Sequence, residues 1–278
     1  MFTDQTVIIT GAGRGIGGAA ARIFAEQGAR VVVNDLNAEP AEETARAITQ
    51  AGGEAIAVPG SVTDPAFPAK LMQAAVDAFG AIHILVNNAG YTWDGMIHKM
   101  TDEQWQAILD VHATAPFRMI RAVAPYLREA AQAEKEAGHP FSNRCVVNVS
   151  STSGLHGNIG QGNYATGKMG VVGLTKTVAK EWGYLGIRCN AVAFGYIDTR
   201  LTRTKEIQEE AIDIDGQEIV LGIPQKVRAL LDANIEQRIP LGRAATAEEA
   251  AGGIVLMASP FARYITGHVL EVTGGMGI

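Results

Sequence analysis

Short, mostly apolar β-rich runs alternate with alanine-rich helical stretches along nearly the whole chain, and this rhythm restricts the fold more than any other feature. The runs fall at residues 6–10, 30–35, 55–58, 82–87, 145–150, 187–192 and 269–272, with helical patterns between the early ones at 15–27, 38–51 and 65–79. None of the runs alternates cleanly between apolar and polar residues. Strands of that kind are buried on both faces, as in a parallel sheet covered by helices. A chain of 278 residues has the length of two domains, yet no linker, composition shift or repeat divides it. The expectation is one α/β, doubly wound domain over residues 1–278, with a mostly parallel seven-stranded sheet flanked by helices.

Two segments break the rhythm. Residues 128–139 are charged and alanine-rich and read as a helix extension and loop. Residues 200–238 carry Glu206, Glu209, Glu210, Asp213, Asp215 and Glu218, mostly a solvated face. Ligands of open α/β sheets bind beyond the carboxyl ends of the strands, so an insert following the sixth strand is placed to cover a site.

Composition excludes several functions. The net charge is −6 and no block of five Lys or Arg occurs, which argues against binding a nucleic-acid backbone. No apolar run reaches the roughly 18 residues of a membrane span. Met1-Phe2-Thr3-Asp4 lacks the basic start of a signal peptide. Cys145 and Cys189 lie in β-branched stretches and read as reduced, buried thiols of a cytoplasmic protein. No Cys/His cluster has metal-ligand spacing.

Three groups of residues carry chemistry. The first run ends in Thr10-Gly11-Ala12-Gly13-Arg14-Gly15-Ile16-Gly17 and opens a helix. In a Rossmann-like dinucleotide site, Gly11 permits the tight turn, Gly15 lets the backbone approach a pyrophosphate, and Gly17 lets helix and strand pack closely. The helix N-terminus then offers unpaired N–H groups to the phosphates. Asp35 ends the second run, where a carboxylate accepts bonds from ribose hydroxyls and repels a 2′-phosphate. That favours NAD, with NADP left open by the cation of Arg14 in the loop. Second, Tyr164 and Lys168 stand four residues apart, on one face of a helix. A cation beside a phenol lowers its pKa from about 10, which makes Tyr164 a candidate acid/base. Third, Ser151 ends the fifth run and is placed to polarise a carbonyl, with Ser150 directed elsewhere by strand alternation.

Taken together, these motifs resemble the short-chain dehydrogenase/reductase family over essentially the whole chain. The resemblance also draws on Asn87-Asn88-Ala89-Gly90 and residues 195–199. It implies that Tyr164 exchanges a proton with the substrate oxygen, that Lys168 bonds the nicotinamide ribose, and that Ser151 orients the carbonyl. Asn88, Ala89 and Gly90 would line the cofactor cleft, while Ile197 and Thr199 would hold the carboxamide. The cofactor would carry the hydride. Ser61-Val62 stands where the family often has Asp-Val, and Phe194-Gly195 where it has Pro-Gly. The family's fourth catalytic residue, an Asn, is replaced by His112. Pro116, four residues on, cannot donate to the His112 carbonyl and kinks the helix. Two readings are open: a carbonyl freed for a proton relay with a titratable imidazole added, or an ordinary kink with a buried, bonded histidine.

Residues 91–94, 100–105, 265–267 and 272–276 resemble 3-oxoacyl-[acyl-carrier-protein] reductases, while Val111-His112 and residues 33–36 resemble NAD-linked (3R)-hydroxyacyl-CoA dehydrogenases. Both interconvert 3-oxo and 3-hydroxy acyl thioesters. The partner expected is a small-molecule or carrier-bound acyl substrate, to whose phosphate Arg200, Arg203 and Lys205 are available if they are more than solvated cations. A secondary-alcohol, steroid or sugar dehydrogenase and a dinucleotide-binding sensor are the alternatives. The resemblance also implies a homotetramer built partly on the helix bearing Ala165, Gly170 and Gly173.

Overall fold

The computed structural model describes residues 1–204, 211–214 and 217–277; of 211–214, 217 and 218 it describes the backbone alone. The strands are β1 (Thr6–Ile9), β2 (Arg30–Val33), β3 (Glu54–Ala57), β4 (Ile84–Asn87), β5 (Cys145–Ser151), β6 (Arg188–Phe194), β7 (Ala211–Ile214), β8 (Gln217–Val220) and β9 (Val269–Val272). Seven of them form one all-parallel sheet in the order β3-β2-β1-β4-β5-β6-β9. The winding reverses between β1 and β4. A crevice opens at such a point because the flanking helices leave on opposite faces.

The helices are α1 (Gly15–Glu26), α2 (Ala38–Gln50), α3 (Phe67–Phe79), α4 (Asp102–Leu109), α5 (Ala115–Glu136), α6 (Thr152–His156), α7 (Gly162–Trp182), α8 (Gln225–Ala233), α9 (Ile235–Arg238) and α10 (Ala247–Ala258). Consecutive strand residues bury on opposite faces. Ile9, Val33 and Val86 join Phe24 of α1 and Ile254 of α10 in one core. Ile8, Val32 and Leu85 join Leu71 of α3, Met119 of α5 and Val178 of α7 in the other. Each such side chain contributes about 1.5–3 kcal/mol, so a one-residue register slip would exchange the two cores and is strongly disfavoured.

The elements agree with the sequence reading to within one or two residues at most ends. Three features differ. Strands β7 and β8 pair antiparallel in the segment read only as an acidic insert. Residues Asp110–Thr114 form a π-helical turn, with Ala115 N–H donating five residues back to Asp110 O, where the sequence suggested a simple kink. Pro125 lies inside α5 without ending it. Lys205, Glu206, Glu209, Glu210 and Asp215 lie outside the described residues, as do the side chains of Asp213 and Glu218. Cys145 and Cys189 are buried and unbridged. Among the described residues no helix is long and apolar enough to cross a membrane, and no group of His, Cys, Asp or Glu could hold a metal.

Candidate active site

The carboxyl ends of β1 and β4 are stitched together by side chains. Thr10 Oγ1 accepts from Asn88 N at 3.0 Å and Ala89 N at 3.1 Å. Asn88 Nδ2 donates to Thr10 O at 2.9 Å and Gly11 O at 3.0 Å. The approach is so close that a Cβ on Gly11, whose φ is +62°, would lie 2.7 Å from Ala89 Cα. A Cβ on Gly17 would run into Gly11 O and Asn88 Nδ2. Gly15, at φ +55°, has nothing within 4 Å of its Cβ position. Two glycines thus serve packing and the third leaves open backbone. Helix α1 starts at Gly15 with no side-chain cap and no acid in its first turn, so its N–H groups are free of side-chain caps.

This turn borders a cavity of about 500 Å³. Of the residues assigned to a dinucleotide, Gly11, Arg14, Gly15, Ile16, Gly17, Asp35, Ser61, Val62, Asn88, Ala89, Gly90 and Thr199 line it. Asp35 is held at its edge: Oδ2 accepts from Gly13 N at 3.0 Å and Oδ1 from Asn37 N at 3.3 Å. Gly13 lies behind that carboxylate, since its Cβ would meet Asp35 Oδ2 at 2.8 Å. Gly195 packs under Thr273 and Met276. Ile197 is buried, its carbonyl accepting from Thr202 Oγ1 at 2.6 Å. An open glycine backbone, an uncapped helix start and a pinned carboxylate fit a nicotinamide dinucleotide.

Strand β5 and helix α7 bring Ser151, Tyr164 and Lys168 together. The start of α7 is fixed by Asn163, a fully buried residue that the sequence reading missed. Its Nδ2 donates to Trp93 O at 3.1 Å and Gln104 O at 3.0 Å, and its Oδ1 accepts from Tyr164 N at 2.8 Å. Only its position before Tyr164 marked it in the sequence. Ser151 is near enough to the Tyr164 hydroxyl to favour its ionised form, and Ser151 Oγ accepts from Ser153 N at 3.1 Å. Lys168 Nζ donates to Val149 O at 2.8 Å and lies 5.6 Å from the Tyr164 ring centroid. Ser150 Oγ donates to Lys168 O at 2.8 Å, away from the cleft, as alternation predicts.

The electrostatics correct one expectation. Lys168 does not lower the Tyr164 pKa here: burial pushes the phenol up to about 12, opposed by Ser151 and aided by Asp94. Burial likewise lowers Lys168 to about 7. At a pKa of about 7 the amine is only partly protonated at neutral pH, so desolvation outweighs its pull on the phenol.

His112 sits in the π-turn just before Pro116, which lacks an N–H to close the ordinary helical bond. Its ring is 3% exposed and meets the Tyr164 ring edge-on, with centroids 4.9 Å apart at 87°. Nε2 lies 2.7 Å from Tyr91 O. A carbonyl only accepts, so the proton resides on Nε2. Burial, then Lys168, lowers the His112 pKa well below its usual 6.5. The titratable imidazole is therefore corrected to a neutral, buried ring.

The insert reaches the cavity through Leu221, just after β8, which is 3% exposed and joins Leu201 in its lining. Arg228 of α8 donates to Thr202 O at 3.1 Å and pairs with Asp232 at 2.8 Å, tying the insert to the loop that carries Thr199. Arg200 borders the cavity, and Arg203 pairs with Asp198 at 3.4 Å.

Comparison with known proteins agrees with this geometry. Residues 5–210 match the short chain dehydrogenase family, and residues 222–277 match the family described as enoyl-(acyl carrier protein) reductase. The chain is 35% identical over 274 residues to a 3-oxoacyl-[acyl-carrier-protein] reductase of Thermotoga maritima, covering 99% of this chain and 98% of that one. It is 37% identical over 277 residues to the Synechocystis enzyme of the same name, with 99% and 98% covered. The Escherichia coli enzyme of that name is 34% identical over 278 residues, again with 99% and 98% covered. The chain belongs to the short-chain dehydrogenase family and is an NAD(P)-dependent oxidoreductase acting on an alcohol–carbonyl pair.

Proposed function

We propose that this protein reduces a 3-oxoacyl thioester to the 3-hydroxyacyl thioester, with Tyr164 as proton donor. The observation that carries the reading is the convergence of the Tyr164 phenol, the Lys168 amine and the carboxyl end of β5, with Lys168 Nζ 5.6 Å from the Tyr164 ring centroid and donating to Val149 O at 2.8 Å. The substrate class follows the similar 3-oxoacyl-[acyl-carrier-protein] reductases. The bound dinucleotide supplies the hydride. Ser151 orients the substrate carbonyl by hydrogen bonding, and Tyr164 protonates the oxygen as negative charge develops there. Lys168, buried behind the phenol, holds the nicotinamide ribose. The α1 N-terminus and Gly15 cradle the pyrophosphate, and Ile197 and Thr199 face the carboxamide end.

Asp35 supports a preference for NADH over NADPH. Two backbone amides fix its carboxylate at the cavity edge, so it has little freedom to swing away from a 2′-phosphate. Asp35→Ala is expected to raise the KM for NADH about tenfold or more, the loss of charge-assisted bonds worth about 1.5–3 kcal/mol. Unchanged NADH affinity in the variant would refute this role. The reading extends to one catalytic domain in which residues 200–238 cover the site. It also includes a cytoplasmic location consistent with two unbridged thiols, and a homotetramer using the exposed Met169–Gly170 face of α7.

The substrate class is tested by following NADH and NADPH oxidation with 3-oxoacyl thioesters, on carrier protein and on coenzyme A, beside a panel of steroid, sugar and simple ketones. Turnover with the thioesters at least tenfold faster than with the panel supports the proposal. Preference for a panel ketone redirects the substrate class, and no oxidation with any carbonyl overturns the enzyme reading.

A further inference from the structure

We infer that His112 is a positioning residue, a neutral imidazole spacer that sets the separation between the cofactor wall at Gly90–Tyr91 and the proton donor Tyr164. The inference deepens the reductase reading and rests on it for its kinetic arm.

The ring is gripped on several sides. Its Nε2–H donates to Tyr91 O at 2.7 Å. Gly90 lies directly against it: a Cβ there would collide with Cε1 and lie 2.9 Å from Nδ1. Gly167, one residue before Lys168, admits it from the other helix, since a Cβ there would lie 2.9 Å from His112 Cβ. The Tyr164 ring takes its edge at 4.9 Å. Two glycines therefore give way to one imidazole. Gly90 and Tyr91 both line the cofactor cavity, so a single side chain touches the cavity wall and the catalytic phenol.

The π-turn explains how the ring gets there. One extra residue in the turn rotates the downstream residues relative to an ordinary helix, and such turns re-aim side chains. His112 lies at the centre of this turn, between α4 and α5, and points beneath the wall rather than to solvent. Nδ1 is buried without a hydrogen-bond partner. An orphaned acceptor costs stability, so packing alone would favour an apolar ring. An edge-on aromatic contact contributes about 0.5–1.5 kcal/mol, and phenylalanine would supply it as well. What the imidazole adds is the donor to Tyr91 O. That bond ties the wall to the π-turn, which itself packs against the helix bearing Tyr164.

Proton donor and reacting carbon must stay in register, and a misplacement of about 1 Å can cost about 10²-fold in rate. His112→Phe keeps a ring of similar shape and loses the donor. Its kcat for 3-oxoacyl thioester reduction is expected to fall 10- to 100-fold, with the KM for NADH changed less than threefold. The primary isotope effect with 4-deuterated NADH is expected to rise as the reacting step becomes slower. His112→Gln, which keeps an N–H donor, should recover part of that loss. If His112→Phe, with its folded fraction confirmed, keeps kcat within threefold and an unchanged isotope effect, the inference is overturned, whatever happens to its melting temperature. A second arm needs no turnover. Nitrogen NMR of the wild-type imidazole should show one neutral Nε2–H form from pH 7 to pH 9; an Nδ1–H form, or protonation within that range, also overturns the inference. If the wild-type protein reduces no carbonyl while the NMR result holds, the reductase reading fails and the spacer geometry survives.

Discussion

Tyr164→Phe is expected to fold normally, to bind NADH with an affinity within about threefold of wild type, and to lose 10²- to 10⁴-fold in carbonyl reduction. The ring's packing against His112 uses the aromatic edge and face, which phenylalanine keeps. Only the hydroxyl disappears. General acid catalysis by one positioned group accounts for a loss of that size, and the phenol does not line the cavity proposed for the dinucleotide. Steady-state kinetics and NADH titration of the same sample separate the two effects. A loss confined to KM, or full activity, would remove Tyr164 from the chemistry.

Lys168→Met is expected to lose turnover by more than 10²-fold while making the fold more stable near pH 7. The amine is 4% exposed, and burial brings its pKa from 10.5 to about 7. The sign comes from proton counting. Between about pH 7 and 10.5 the unfolded chain holds a proton that the folded chain has released. Stability therefore rises with pH across that window, by up to about 1.4 kcal/mol per unit from this one group. From pH 7 to pH 9 the wild-type unfolding free energy should climb by about 2 kcal/mol. Above about pH 9 the Cys145 thiol, raised to about 11, works in the opposite direction. Methionine fills similar space without a charge, so the variant should show no such climb and should exceed wild type at pH 7, although Val149 O loses its partner. Denaturant titrations of both proteins at pH 7, 8 and 9 check this. A parallel climb in the variant would mean that another group is responsible.

The strands and the glycine turn were legible in the sequence because each arises from local chemistry. Mostly apolar runs without alternation, set between helical stretches, point to a doubly covered parallel sheet, and Gly11 and Gly17 sit where no Cβ fits. Ser151, Tyr164 and Lys168 were legible as spacing, and the fold brings them together as the spacing suggests. The phenol's protonation was not, because it depends on desolvation, a property of the assembled core. Proximity of Lys168 suggested a lowered pKa; burial of both groups reversed the direction. The His112 position was legible, but not its neutrality, which requires a ring enclosed between Gly90, Gly167 and Tyr164. Asn163 was missed because its carboxamide acts on backbone atoms of residues 93 and 104, far off in sequence. The β7–β8 pair was hidden by its acidic composition, which reads as a solvated face while Leu221 beyond it turns inward.

The central claim is direct reduction of a carbonyl next to Tyr164 by the bound dinucleotide. Its most direct test is mass spectrometry of the product formed from a 3-oxoacyl thioester and 4-deuterated NADH, the label placed on the transferred face. The prediction is a 3-hydroxyacyl thioester one deuterium heavier, with the label on the hydroxyl-bearing carbon, formed by wild type and essentially absent with Tyr164→Phe. An unlabelled alcohol, or equal labelled product from Tyr164→Phe, would contradict it.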